Sequence, residues 1–230
     1  IKFVYKIVNI VIMDHKSINN LNIIKNEVVS ENQNTNIIAV TKTFPINVIN
    51  PLLKDGHIHY GENKVQEATD KWSNIKTQYK NIKLHMVGKL QSNKVKFVLP
   101  LFDYIHSLDN HKLAEKISVE QIKKQFKPKI FIQVNIGNEI QKGGIDKKDL
   151  KLFYKLCVEN YNLDIVGLMC IPPESIDSKI YFQEMLELKK QLGLKELSMG
   201  MSNDYIQAVK NGATYIRIGS KIFGERTKKF

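Results

Sequence analysis

The chain has 230 residues, 43% of them hydrophobic and 25% charged, with two cysteines; this admits one large domain or two small ones and excludes a disulfide-stapled mini-protein, a collagen or a disordered chain. Thirty-five basic residues against 23 acidic ones give a formal charge of +12, which favours anionic partners such as phosphorylated metabolites, nucleic acid or an acidic lipid surface. Only Arg217 and Arg226 are arginines, and the lysines are scattered among acids without an aromatic-interleaved basic block, so nucleic acid is not an expected partner.

In chain order, residues 1–12 are apolar with two lysines and no acid, too short for the ~20 residues that cross a bilayer. Residues 1–13 therefore read as an apolar N-terminal extension, and no membrane partner is expected. Because the sequence begins at Ile1, a longer start carrying an organelle address stays open. A leading helix is predicted over 14–31. Short β-branched apolar runs then alternate with stretches of helical period. The strands are predicted at 37–42, 57–62, 83–88, 104–109, 129–136, 163–171, 196–200 and 215–220. Between them, Val65, Ala68, Trp72 and Ile75 share one helical face, as do Leu150, Phe153, Tyr154 and Cys157.

Eight units with near-continuous apolar strands argue for parallel pairing covered on both sides, and eight strands close a (β/α)8 TIM-like barrel. A doubly wound open sheet is the competing α/β fold. No linker or composition break divides residues 14–230, which read as a single barrel domain with an extra N-terminal helix. Cys157 and Cys170 have neither a paired framework nor zinc spacing, so no metal is expected, and two buried thiols fit a reducing, cytoplasmic setting.

Ile38, Val40 and Lys42 share one strand face by the two-residue period. If that face is the barrel interior, an ammonium stands in a largely desolvated place at the strand's carboxyl end. It must then be paired, lowered in pKa or covalently neutralised as an imine. The plainer alternative is one solvated lysine among many. The run Ser198-Met199-Gly200-Met201-Ser202-Asn203-Asp204 ends a strand and starts a helix, with Ser202 or Asn203 as N-cap and Gly212 as the stop; Arg217-Ile218-Gly219-Ser220 ends the eighth strand. Ser202 can be a simple cap and Gly219 a turn glycine. Together, after strands seven and eight, they favour a phosphate cradle. Arg217 faces inward by the same alternation, either as a permanently charged donor or in a buried salt bridge with Glu62 or Glu225.

An imine-forming lysine, a phosphate cradle and an inward arginine are the parts that a pyridoxal 5′-phosphate site needs. Ala39-Val40-Thr41-Lys42-Thr43, Gly61-Glu62-Asn63-Lys64-Val65-Gln66-Glu67, the run from His85 through Lys94, Gly167-Leu168-Met169, and the runs from Leu197 through Asp204 and from Arg217 through Gly224 carry a family resemblance. From about Ile37 onward the chain resembles the pyridoxal phosphate homeostasis protein family, whose fold is the barrel domain of fold-type III enzymes such as alanine racemase.

The resemblance implies that Lys42 is the Schiff-base lysine, that Ser202, Gly219 and Ser220 hold the phosphate with the Met201 backbone, that Arg217 faces the pyridine nitrogen, and that Asn63 lies near the ring. Phe44 stands where the family often has another lysine, and the apolar leader is outside the family pattern. The implied function is carriage or homeostasis of pyridoxal phosphate in the cytoplasm, without catalysis, by a monomer or weak homodimer that serves pyridoxal phosphate-dependent apo-enzymes. The alternatives are a single-domain amino-acid racemase and a basic RNA-associated protein. A racemase of the alanine type needs a second base, a tyrosine at a site completed by a second domain and a partner subunit. The sequence ends at Phe230 without that domain, so efficient racemisation is not expected. His57, His59, His85, His106 and His111 read as mostly structural, and Lys142 as a solvated loop lysine or a captor of free cofactor.

Overall fold

The computed structural model describes residues 15–139, 141–174 and 177–225; the extension at 1–13 and Arg226 lie outside them. Eight strands, β1 (Asn36–Val40), β2 (His59–Glu62), β3 (Lys83–Met86), β4 (Tyr104–Leu108), β5 (Lys129–Gln133), β6 (Asp164–Met169), β7 (Glu196–Ser198) and β8 (Tyr215–Ile218), pair in parallel in chain order. Ile38 of β1 pairs with Arg217 of β8, which closes the sheet into a barrel and rules out the open doubly wound alternative. The helices α1 (Lys16–Glu31), α2 (Ile46–Lys54), α3 (Val65–Gln78), α4 (Val95–Val98), α5 (His111–Lys124), α6 (Leu150–Glu159), α7 (Ser178–Gln191), α8 (Tyr205–Lys210) and α9 (Ser220–Phe223) surround it.

Strand alternation splits the buried side chains into two cores. Ile38, Val40, Tyr104, Phe131, Met169 and Tyr215 fill the barrel interior. Ile37, Ala39, Tyr60, Leu84 and Ile105 point outward and join the helices in a larger shell. In α3, Ala68 and Trp72 are buried while Val65 and Ile75 pack at the margin; in α6, Leu150, Phe153 and Cys157 are buried and Tyr154 is partly so. Each large side chain so buried contributes about 1.5–3 kcal/mol. The face of α1 that carries Leu21, Ile24 and Val28 packs into the same shell. Polar ties lock α1 in place, with the Tyr205 hydroxyl donating to Glu27 and Asn20 Nδ2 donating to the Ile222 carbonyl at 3.0 Å.

The structure shortens most of the predicted strands at their carboxyl ends. β1 stops at Val40, β3 at Met86, β7 at Ser198 and β8 at Ile218, because ladder pairing ends where the chain bends into the loops of the upper rim. The predicted strand 129–136 keeps its ladder through Gln133, after which Val134 makes a bridge to Ile145. At the other end, β2 begins at His59 and not at residue 57, because the His57 N–H still bonds the Leu52 carbonyl. The leading helix starts at Lys16, with the His15 ring accepting from the Ser17 N–H as its cap.

Candidate functional site

Lys42, Asn63, Met201, Ser202, Arg217, Gly219 and Ser220 all line one cavity of about 800 Å³ at the carboxyl ends of the strands, together with Val40, Phe44, Val87 and Pro173. Lys42 stands two residues beyond β1 and Asn63 directly after β2. Gly88 lets Asn63 sit where it does, since a Cβ there would lie 2.4 Å from the Asn63 carbonyl oxygen. Gly200 has φ +90°, and a Cβ there would meet that of Ala208 at 2.5 Å; this lets the β7 loop turn tightly back over α8.

Residues outside the cavity set the turn that carries Lys42. Thr43 has φ 69°, a left-handed conformation that costs a β-branched residue roughly 1–2 kcal/mol. Its N–H donates to Glu67 Oε1 at 2.6 Å. Lys71 Nζ pairs with Glu67 at 3.0 Å and with Glu62 at 2.8 Å, and donates to the Thr41 carbonyl at 2.9 Å. Glu62, fully buried between the barrel and α3, also accepts from Thr41 Oγ1 at 2.7 Å and Trp72 Nε1 at 2.9 Å. This clamp was not read from the sequence, although the four-residue spacing of Glu67 and Lys71 on α3 signals a helical ion pair.

At the opposite wall the N-cap of α8 is Asp204, not Ser202 or Asn203. Asp204 Oδ1 accepts from the Met201 N–H at 2.6 Å, so that N–H is already engaged. Ser202 is thereby released from capping and its Oγ accepts from Ser220 Oγ at 3.1 Å, joining the two loops of the proposed cradle. The stop is as predicted, with α8 ending at Lys210 and Gly212 in a left-handed conformation at φ +84°. Beside Ser220, the Ile222 and Phe223 N–H groups both donate to the Gly219 carbonyl at 3.0 Å, so only the first two N–H groups of α9, those of Ser220 and Lys221, precede the helical bonds. A Cβ on Gly219 would come within 3.3 Å of the Val40 carbonyl oxygen, so its bare backbone keeps this corner open.

Arg217 makes neither of the expected salt bridges. Glu62 faces α3, outside the barrel, and Glu225 is exposed. The buried guanidinium instead donates from Nη1 to Ser198 Oγ at 2.7 Å and from Nη2 to the Cys170 carbonyl at 2.8 Å. Burial lowers its pKa, yet an arginine keeps its charge. Behind it, His106 Nδ1 lies 2.8 Å from Ser198 Oγ, His85 Nδ1 2.9 Å from His106 Nε2, and His59 Nδ1 2.9 Å from His85 Nε2. The sequence reading of these histidines as mostly structural did not reveal this file.

Burial pulls the imidazoles of His57 and His59 down to about 4, helped by Lys25 and Lys83 respectively. It holds His85 and His106 well below the ordinary value, helped by neighbouring imidazoles at His85 and chiefly by Arg217 at His106. The unfolded chain, whose histidines titrate near 6.5, therefore takes up protons first as the pH falls. Stability from these rings is complete above pH 6.5 and declines towards pH 4. The urea midpoint is expected to fall across that window and His59→Gln to flatten the fall; a constant midpoint would mean that folding does not suppress their protonation.

Phe44 lines the cavity and packs on Phe223 with ring centroids 5.0 Å apart. Lys142 is not the freely solvated loop lysine of the sequence reading. Its Nζ lies 2.6 Å from Glu139 Oε2 and donates to the Pro172 carbonyl at 3.1 Å. Cys157 and Cys170 are free and buried, and burial pushes both thiols up to about 12.

Residues 15–227 match the model of the alanine racemase N-terminal domain family. A pyridoxal phosphate homeostasis protein of Aquifex aeolicus is 38% identical over 199 residues, which cover 83% of this chain and 86% of that protein. The chain belongs to the pyridoxal phosphate homeostasis protein family. Another protein of that name, from Haemophilus influenzae, is 35% identical over 224 residues, covering 90% of this chain and 94% of that one. Two solved structures of PipY from Synechococcus elongatus are 33% identical to the chain and are each covered completely. The one without PLP covers 91% of this chain with a TM-score of 0.83, and the one with PLP bound covers 90% with a TM-score of 0.81.

Proposed function

We propose that this chain binds pyridoxal 5′-phosphate as a Schiff base on Lys42 and acts in carriage or homeostasis of the cofactor, with no catalysis of its own. The observation that carries this reading is the convergence of Lys42, the Gly219–Ser220 corner and Arg217 on one cavity. The residues fit the group in three respects. An amine is available to condense with an aldehyde, releasing water. The Gly219 corner, with no Cβ, the Ser202–Ser220 hydroxyl pair and the first turn of α9 suit a phosphate. Arg217 suits an unprotonated ring nitrogen. Relatives carrying the homeostasis name and the PipY structure with PLP bound support the assignment. Two free, buried thiols agree with a cytoplasmic setting, and apo-enzymes that need the cofactor are the proposed recipients.

The phosphate half is testable separately. Pyridoxal phosphate is expected to be retained far more tightly than pyridoxal, with Ser220→Ala weakening retention modestly and Gly219→Val abolishing it. A Cβ at Gly219 would meet the Val40 carbonyl oxygen at 3.3 Å, a tight contact, so the urea midpoint of cofactor-free Gly219→Val is compared with wild type to separate loss of the cradle from loss of the fold. Equal retention of the two vitamers would refute the cradle.

The racemase reading draws on the matched family model. Against it, the ring of a bound cofactor serves as an electron sink best when its nitrogen is protonated, and a guanidinium disfavours a second positive charge beside it. Racemisation also needs acid–base groups on both faces of the substrate; beside Lys42 the described lining offers the carboxylates of Glu174, Asp177 and Asp204 but no tyrosine, histidine or cysteine. Deuterium is expected to exchange at the α-carbon of added amino acids slowly or not at all. Rapid, Lys42-dependent exchange at catalytic protein concentration would make the racemase reading the better one.

A further inference from the structure

The barrel interior holds one unbroken file of hydrogen-bonding groups, and we infer that it runs in a single direction: Arg217 donates to Ser198, Ser198 to His106, His106 to His85 and His85 to His59, each imidazole neutral with its proton on Nε2. The file, in place of a carboxylate, positions the guanidinium at the cavity floor.

The direction follows from which groups can donate. A guanidinium has five N–H donors and no acceptor, so at the 2.7 Å contact Ser198 Oγ must accept. The serine has one proton of its own, and its other partner is His106 Nδ1 at 2.8 Å. If that nitrogen also carried a proton, Ser198 would accept twice and its own proton would be stranded in a fully buried place, at a cost of about 1–3 kcal/mol. The hydroxyl therefore donates to Nδ1. His106 then carries its proton on Nε2, which lies 2.9 Å from His85 Nδ1 and donates to it. The same step repeats to His59, where Nδ1 accepts at 2.9 Å. His59 is only partly buried, and water at the lower rim can meet its remaining N–H.

A doubly protonated ring at His85 or His106 would bring two donors together at one of these joints. Burial, which holds both imidazoles far below their ordinary value, opposes that state as well. The aligned groups all turn their acceptor ends towards Arg217, so their dipoles stabilise a buried cation that has no carboxylate of the described residues within hydrogen-bonding distance. Ser198 and His106 are thus positioning residues for Arg217. Only the consequence at a cofactor ring nitrogen rests on the functional reading above; the direction of the file does not.

Nitrogen-15 NMR of histidine-labelled, cofactor-free protein tests the direction, because two-bond couplings report which ring nitrogen carries the proton. The expected spectrum has His59, His85 and His106 as single Nε2–H tautomers. In Ser198→Ala the fixed donor is gone, so His106 should lose its single tautomer and His85 should follow, whereas Ser198→Thr should restore the pattern. The wild-type spectrum decides the matter even where the alanine variant does not fold. Protonation of His85 or His106 on Nδ1, or tautomers at both that ignore the loss of the Ser198 hydroxyl in a folded variant, would overturn the inference whether or not the cofactor binds. Conversely, intact Nε2–H tautomers in a protein that fails to bind pyridoxal phosphate would leave the file standing and remove the cofactor reading.

Discussion

Lys42→Ala protein loaded with pyridoxal phosphate and then freed of unbound cofactor is expected to be colourless, with no borohydride-fixed cofactor at the cavity. Borohydride reduces a lysine imine to a stable secondary amine, so the modified peptide identifies the amine that held the aldehyde. Among the described residues that line the cavity, Lys42 is the sole lysine. The Thr43 turn, clamped by Glu67 and Lys71, fixes where its stem emerges from β1. The competing amine is Lys142, which is tied to Glu139 and the Pro172 carbonyl close to the cavity residues Pro172 and Pro173. Wild-type protein should therefore show a yellow band bleached by borohydride and a mass increase on the peptide containing Lys42, and Lys142→Ala should behave as wild type. A label mapped to Lys142, or an undiminished band in Lys42→Ala, would defeat the assignment.

Glu62→Ala is expected to cause the largest loss of stability among changes near the site, about 3–5 kcal/mol, the range seen when one partner of a buried ion pair is removed. One carboxylate oxygen of this fully buried residue accepts from Thr41, Lys71 and Trp72. Its removal strands the indole N–H in the shell between barrel and α3, leaves the threonine hydroxyl only its longer bond to the Gly61 carbonyl at 3.3 Å, and leaves the mostly buried Lys71 ammonium to Glu67 and the Thr41 carbonyl. Glu62→Gln keeps the acceptor oxygen and the shape, so it should recover part of the loss. Urea unfolding of the cofactor-free proteins measures the effect without reference to ligand. A loss under about 1 kcal/mol, the scale of an exposed pair, would mean that the network relaxes around the gap. Because the same carboxylate braces the strand end before Lys42, cofactor retention should weaken in Glu62→Ala even where the protein remains folded.

What was legible in the sequence is what depends on neighbours along the chain. Alternation alone set Ile38, Val40 and Lys42 on one face and Arg217 with Gly219 on another inward face, and the cavity indeed collects Val40, Lys42, Arg217 and Gly219. The helical period likewise marked the buried faces of α3 and α6. Local patterning works here because a parallel barrel buries both faces of every strand, which leaves apolar runs that stand out from the amphipathic helices between them.

Other features depend on where distant segments meet, and only the closed barrel decided those. Ser202 is as good a cap as Asp204 by residue type, yet the loop after β7 turns back so that Asp204 reaches the Met201 N–H and Ser202 is left facing Ser220. Glu62 could be placed near Arg217 by charge, but the pleat turns it outward to α3. The histidine file is the clearest case. Alternation can turn His59, His85 and His106 inward one at a time, but their contact depends on inter-strand register, which staggers each strand against the next: Gly61 lies opposite His85, and His85 opposite Tyr104. Register is a sum over the whole closed sheet. No window of sequence contains it, so the contacts that orient Arg217 appear only once all eight strands are in place.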